Sequence, residues 1–136
     1  MKDNSKFWDR YAKIYDYEIK RFNSDAYKEM YHLMAASLSK EMNVLEVATG
    51  TGLIALNISK YVRAVEAVDY SIKMVEKAKK KDVPKNVNFT VADAKDLLYE
   101  ENSFDAVVIS NALHIIGEPE TVLKNILILH HNVEYK

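Results

Sequence analysis

The sequence contains no cysteine, and its 136 residues include only three glycines and two prolines. Without cysteine the chain cannot form a disulfide, a thiolate nucleophile or a thiolate metal site. The formal net charge is −1, so we expect neither nucleic acid nor an anionic membrane as the main partner. The sequence also lacks an apolar leader and any apolar run long enough to span a bilayer. We therefore predict a cytoplasmic protein without stable membrane insertion.

Apolar periodicity divides the chain into helices and strands that mostly alternate. We predict helices at 5–16, 25–38, 53–61, 72–81 and 118–130, and strands at 43–48, 63–69, 87–92 and 104–110. Ser71 is a suitable N-cap for the helix that follows it, and the run FDAVVIS is typical of a strand buried on both faces. This order predicts an α/β fold, with a mostly parallel sheet and helices on both faces. We expect one compact unit, in which residues 1–40 form a helical cap and residues 41–136 bind the ligand.

Two of the three glycines, Gly50 and Gly52, lie in one short turn between the first predicted strand and its helix. The turn matches the dinucleotide-binding pattern G-x-G-x-x-[GA], and Asp69 follows at nearly the expected distance. The pattern alone is weak, and the acid Glu46 inside the first strand would repel a pyrophosphate. A third acid, Asp93, ends another strand. Together the acids favour a nucleoside joined to a cationic amino acid over a nicotinamide dinucleotide.

The distinctive polar residues all fall where a predicted strand ends. They are Glu46 and the glycines, Asp69, Asp93, and the pair Ser110–Asn111. Ligands of parallel α/β sheets bind beyond the carboxyl ends of the strands, near the point where strand order reverses. This shared position predicts a ligand site at that edge of the sheet.

Four motifs in order resemble the class I S-adenosylmethionine-dependent methyltransferases, over roughly residues 7–127. VLEVATGTG resembles the first motif, VDYS the second-strand acid, VADA the adenine-binding corner and SFDAVVISNALHII the fourth strand. The resemblance is closest to the branch that contains quinone-biosynthesis C-methyltransferases and small-molecule or lipid-headgroup methyltransferases. It implies a Rossmann-like fold with strand order 3-2-1-4, S-adenosylmethionine as cofactor and a small-molecule or lipid-like methyl acceptor.

The resemblance implies roles for residues near the methionyl end of the cofactor. Glu46 would help to hold that cationic end through its charge. The backbone of Ala48, Gly50 and Gly52 would lie against the methionyl tail, where a Cβ on either glycine would intrude. Ala48 stands where the family often has its first glycine. Backbone near Asn111 would face the methionyl amine.

Other residues are implied to hold the nucleoside. Asp69 would accept hydrogen bonds from both ribose hydroxyls. Tyr70 would pack against adenine. The carboxylate of Asp93 would accept from the adenine amino group, while the N–H of Ala94 donates to the ring.

Each acid also has a purely structural interpretation. Glu46 could pair with a lysine, Asp69 could cap the helix after it, and Asp93 could belong to a turn. We interpret Asp96 and Asp105 as structural residues that start a helix and enter a strand.

Aromatic and histidine side chains leave alternatives open. Tyr11 and Tyr15 could cover the ligand or pack in the core, and His114 could be a base or a surface residue. His130 and His131 lack a convincing partner, so we predict no metal site. No catalytic residue is identified.

Family members usually continue into a fifth strand and an antiparallel hairpin, whereas this chain ends at NILILHHNVEYK. We therefore expect a truncated or minimal domain, with the C-terminal strands missing and strand 104–110 at an apolar edge. Such an edge predicts a homodimer through the strand or through the tail ILILHHNV, unless the tail folds back as a fifth strand. An active methyltransferase and a non-catalytic cofactor-binding remnant both remain open, with a nicotinamide-binding domain as a weaker alternative.

Overall fold

The computed structural model describes residues 6, 7, 9, 10, 12 and 24–109. Residues 6, 7, 9, 10 and 12 are helical, and we call them the N-terminal segment. The helices that follow are α1 (Ser24–Ala36), α2 (Leu53–Ile58) and α3 (Ile72–Lys79), with a 3-10 turn at Ser59–Tyr61. The strands are β1 (Asn43–Val47), β2 (Ala64–Asp69), β3 (Val87–Val91) and β4 (Ala106–Ile109).

The four strands form one parallel sheet in the order β3-β2-β1-β4. Val44 of β1 is aligned with Val65 of β2 on one side and with Ala106 of β4 on the other. The predicted α/β class and strand order are therefore confirmed. Strand order reverses at β1, so the turn after β1 lies where ligands of such sheets bind.

The two faces of the sheet have different coverings in the described part of the chain. All three helices pack on one face, against a core that includes Val44, Val65 and Phe89. The opposite face carries Leu45 and Val47, with side chains from the loop after β3 packed against them. The helix predicted at 118–130 lies outside the described residues. None of the described helices has the length and apolar character needed to cross a bilayer.

Helix α3 follows directly from its sequence. The hydroxyl of Ser71 accepts a hydrogen bond from the Met74 N–H at 3.2 Å, which confirms the predicted N-cap. Met74, Val75 and Ala78 are buried on one face. Apolar residues at this spacing fix which side of the helix meets the sheet.

The prediction for strand 104–110 needs correction. The strand begins at Ala106, and Phe104 makes only an isolated bridge before it. Residues 106–109 are each half-buried rather than fully buried, because β4 is an edge strand among the described residues and pairs with β1 alone. Asp96 also differs from its prediction, since it lies in a turn and no helix follows it through residue 103.

Candidate functional site

In the turn after β1, every second residue from Ala48 to Gly52 has a left-handed backbone conformation. The φ angle is 60° at Ala48, 60° at Gly50 and 83° at Gly52. Glycine adopts such angles freely, whereas alanine does so at a cost. The backbone geometry thus explains why the family often has glycine where this chain has Ala48.

Gly52 is required by packing inside the protein. A Cβ added there would lie 2.5 Å from Cζ of Phe89 and 3.3 Å from Cβ of Ala78. A Cβ at this position would therefore clash with the protein's own β3 side chain beneath the turn, and its predicted intrusion on a methionyl tail stays a prediction. Close packing of the turn on its own sheet is reason enough for the second glycine.

Glu46 lies in the core beneath the same turn, with only 1% of its surface exposed. Its Oε1 accepts a hydrogen bond from the Thr49 hydroxyl at 2.6 Å. Burial raises the pKa of Glu46 to about 8, although hydrogen bonds from Thr49 and the Ala55 backbone oppose the shift, and the charge of Asp69 adds to it. Through these hydrogen bonds the carboxyl connects the turn with the start of α2. Its contact with a methionyl group stays a prediction.

Asp69 connects the turn to the end of β2. Its Oδ2 accepts from the Gly50 N–H at 2.8 Å, and its Oδ1 accepts from the Ser71 N–H at 2.9 Å. Burial is the main cause that raises its pKa, partly offset by these backbone hydrogen bonds. The next residue, Tyr70, is half exposed. Asp69, which is predicted to bind the ribose, and Tyr70, which is predicted to pack against adenine, are therefore neighbours beside the glycine turn.

Asp93 lies in a turn just after β3. Its Oδ1 accepts from the Lys95 N–H at 2.9 Å, and its carbonyl accepts from the Asp96 N–H at 2.9 Å. Ala94 is half-buried against the face that carries Leu45. The carboxylate thus organises the turn, and its predicted contact with adenine stays a prediction.

The remaining candidates lie outside the described residues. They are Asn111, Tyr11, Tyr15, His114, His130 and His131.

The sequence did not reveal two residues that support the candidate site. Asp9 accepts hydrogen bonds at the start of α3, from the Ser71 hydroxyl and from the Lys73 N–H at 3.1 Å. Lys81 Nζ donates to the Thr51 carbonyl at 2.9 Å and so supports the glycine turn from the far end of α3. No spacing pattern signals either contact, because the partners are 62 and 30 residues apart.

The donors and acceptors of this site fit a nucleoside cofactor. The Asp69 carboxylate accepts from the backbone N–H groups of Gly50 and Ser71, and the Tyr70 backbone also donates to it. A carboxylate has about four acceptor positions in all. The acceptor capacity that remains suits a hydroxyl such as one of a ribose. The exposed ring of Tyr70 adds an aromatic surface beside them.

Fold and site together define a Rossmann-like α/β domain of the class that binds nucleoside-containing cofactors. The family of the methyltransferase domain matches residues 44–129, and the chain belongs to that family. S-adenosylmethionine is the cofactor of this class, so the resemblance inferred from the four motifs is confirmed at the level of the family.

One relative shows which members of the family this chain is similar to. It is 35% identical over 92 residues to the ubiquinone/menaquinone biosynthesis C-methyltransferase UbiE of Rickettsia akari, a match that covers 60% of this chain and 37% of the relative. The chain thus spans well under half the length of that protein.

Solved structures share the fold. One is a putative S-adenosyl-L-methionine-dependent methyltransferase from Methanococcus maripaludis, with a TM-score of 0.83, 18% identity, and coverage of 96% of this chain and 63% of that one. Another is the [4+2]-cyclase SpnF, with a TM-score of 0.69, 26% identity, and coverage of 75% and 40%.

Proposed function

We propose that this chain binds S-adenosylmethionine beyond the carboxyl ends of β1, β2 and β3 and transfers a methyl group to a small, lipid-like acceptor. The observation that carries the proposal is the position of Asp69. Its carboxylate fixes the Gly50 N–H of the glycine turn and lies beside the exposed Tyr70. Asp69 thereby connects the glycine turn, which would meet the methionyl end of the cofactor, with Tyr70, which would meet the nucleoside end.

The acceptor class is argued from relatives and from chemistry. The Rickettsia akari relative is named for ubiquinone and menaquinone biosynthesis, and the reduced, quinol forms of such compounds combine an aromatic ring with an apolar chain. We propose a quinone-like or phenolic acceptor for this chain. The bound cofactor supplies a methyl group activated by its sulfonium charge.

The residues of this chain contribute binding and orientation. Asp69 and Tyr70 would fix the nucleoside, and the left-handed turn would leave its backbone facing the methionyl tail. Holding two reactants in line can by itself supply much of a rate enhancement. No base among the described residues is assigned to the reaction.

Calorimetric titration with S-adenosylmethionine, S-adenosylhomocysteine and NAD tests the cofactor. We expect both sulfur-containing ligands to bind more tightly than NAD, and tighter NAD binding would overturn the proposal. Asp69→Asn should weaken S-adenosylhomocysteine binding by about 1–3 kcal/mol, because the ribose hydroxyls lose charge-assisted hydrogen bonds.

Asp82→Asn is the matched control, since Asp82 is an exposed acid beyond the end of α3. It makes the same chemical change away from the proposed site and should leave the affinity unchanged. Urea unfolding of both variants separates a loss of binding from a loss of fold. Equal affinity of Asp69→Asn and the wild-type protein would reduce Asp69 to a turn residue.

A second candidate is a domain that binds the cofactor without transferring its methyl group. The [4+2]-cyclase SpnF favours it, because a protein named for a different reaction shares this fold. An assay with methyl-labelled cofactor and a panel of quinols and phenols separates the two candidates. Cofactor binding without any labelled product would favour the second.

A further inference from the structure

Asp9 occupies the start of α3 although it lies 62 residues before it in the chain. Its Oδ1 accepts from the Ser71 hydroxyl and from the Lys73 N–H, which is 3.1 Å away. Both donors belong to the first turn of α3 or its N-cap. A negative side chain is stabilised at a helix N-terminus, where unpaired N–H groups point outward. Asp9 therefore docks the N-terminal segment through an oxygen that accepts hydrogen bonds at the start of α3.

A second contact lies one turn further along both elements. Lys77 Nζ donates to the Ala12 carbonyl at 2.6 Å, and Ala12 is 3% exposed. Asp9 and Ala12 are three residues apart, and Lys73 and Lys77 are four apart, so the two contacts lie about one helical turn apart on each element. Two contacts at matching spacing fix the segment along α3.

Ser71 joins this contact to the proposed cofactor site. Its hydroxyl donates to Asp9, while its backbone N–H donates to Oδ1 of Asp69 at 2.9 Å. The two carboxylates therefore both accept hydrogen bonds from the same residue. Their charges interact: burial is the largest cause that raises the pKa of Asp69, and the charge of Asp9 adds to it.

We propose that Asp9 is a positioning residue for cofactor binding, which fastens the N-terminal segment to Ser71 and so fixes both the segment and Asp69 at the nucleoside end of the site. The proposal rests on the proposed function, because it assumes that the cofactor binds at Asp69. Loss of the Asp9 carboxylate frees the Ser71 hydroxyl and releases the segment from the start of α3. Cofactor affinity then falls although no atom of Asp9 is needed to touch the cofactor.

The test compares three variants by calorimetric titration with S-adenosylhomocysteine. Asp9→Ala should bind about three- to tenfold more weakly, the range expected when one capping carboxylate is lost. Asp9→Asn keeps an oxygen that can accept from Ser71 and Lys73, and it should stay within about twofold of the wild-type affinity. Asp82→Ala removes an exposed acid beyond the other end of α3 and should leave the affinity unchanged.

Fluorescence gives a readout that a merely structural residue would not affect. Trp8 is the single tryptophan of the chain and directly precedes Asp9. Its emission should change on titration of the wild-type protein with S-adenosylhomocysteine, with a midpoint equal to the calorimetric Kd. The change should be lost in Asp9→Ala and retained in Asp9→Asn.

The outcomes separate this proposal from the proposed function. Wild-type protein that fails to bind S-adenosylhomocysteine contradicts the function itself. Wild-type binding with an unchanged affinity in Asp9→Ala overturns the role of Asp9 alone. If Asp9→Ala does not fold, the wild-type fluorescence decides, and constant Trp8 emission at saturating ligand overturns the proposal.

Discussion

Gly52 shows how a single residue can serve both the fold and the site. The family pattern attributes its lack of a side chain to the ligand, yet the nearest obstacle to a Cβ is the ring of Phe89, 2.5 Å away. The turn can lie this close to β3 only without a side chain. The shape of the candidate site therefore depends on packing beneath the turn as much as on the space above it.

Gly52→Ala should lower the free energy of unfolding by about 2–4 kcal/mol, since overpacking against Phe89 adds to the cost of a left-handed alanine. Urea unfolding measures the loss. Ala48→Gly is the matched control, because it removes a Cβ at another left-handed position of the same turn, and its effect should stay within about 1 kcal/mol.

The clash can be tested directly by reducing the ring. Phe89→Leu in the Gly52→Ala background should cost less than Phe89→Leu in the wild-type background, because the smaller side chain relieves the overlap. Equal costs in the two backgrounds would show that backbone strain alone explains the loss.

At the scale of elements, the strands and helices could be predicted because apolar periodicity determines them. The cap at Ser71 is a local signal, and that prediction held, whereas Ile72, which has helical spacing from Val75, is 55% exposed and Met74 is buried instead. The order of the strands followed from the resemblance to a known family. Contacts between distant polar residues could not be predicted, since no local pattern pairs Asp9 with Ser71 or Asp105 with Asn43.

The protonation state of Glu46 could not be predicted from the sequence either. An acid at the end of a strand suggests an ionised ligand contact, and only the folded structure shows that the carboxyl is buried beneath the turn. The identity of a site residue can thus be inferred from a motif, while its protonation depends on how completely the surrounding chain excludes water.

Asp105 joins the amino ends of two neighbouring strands. Its Oδ2 accepts from the Asn43 N–H at 2.8 Å, and its own N–H donates to the Asn43 carbonyl at 2.8 Å. Asp105→Ala should cost about 1–2 kcal/mol of unfolding free energy, because a partly buried N–H loses its acceptor.

Cofactor affinity should not change in Asp105→Ala, since Asn43 begins β1 and the candidate site lies beyond its other end. Ser103→Ala is the control for the same loop and should alter stability by less than about 0.5 kcal/mol. A marked loss of cofactor affinity in Asp105→Ala would contradict the separation of the two ends of the sheet.

At the scale of the whole molecule, the edge position of β4 bears on whether two copies of the chain associate. Among the described residues it pairs only with β1 and is half-buried along its length. An apolar edge strand favours pairing with another chain, and we propose a homodimer through this edge. Sedimentation velocity over a dilution series from low micromolar concentration tests the idea, and a monomer at every concentration contradicts it.

The dependence of stability on pH is a second property of the whole molecule that the structure predicts. Burial raises the pKa of Glu46 from 4.5 to about 8, so the folded protein keeps this carboxyl protonated where the unfolded chain releases the proton. The resulting stabilisation is fully present below pH 4.5 and is lost as pH rises through about 8. Asp69 shifts in the same direction and adds to the trend.

We therefore expect the free energy of unfolding to fall between pH 5 and pH 8, by up to about 1.4 kcal/mol per pH unit from Glu46. Glu46→Gln keeps an oxygen that can accept from the Thr49 hydroxyl but cannot ionise, so its stability should depend less steeply on pH. Asp82→Asn makes the same chemical change at an exposed acid and should follow the wild-type profile. Urea unfolding at each pH gives the three curves. Equal slopes for Glu46→Gln and the wild-type protein would mean that Glu46 is already ionised in the folded protein.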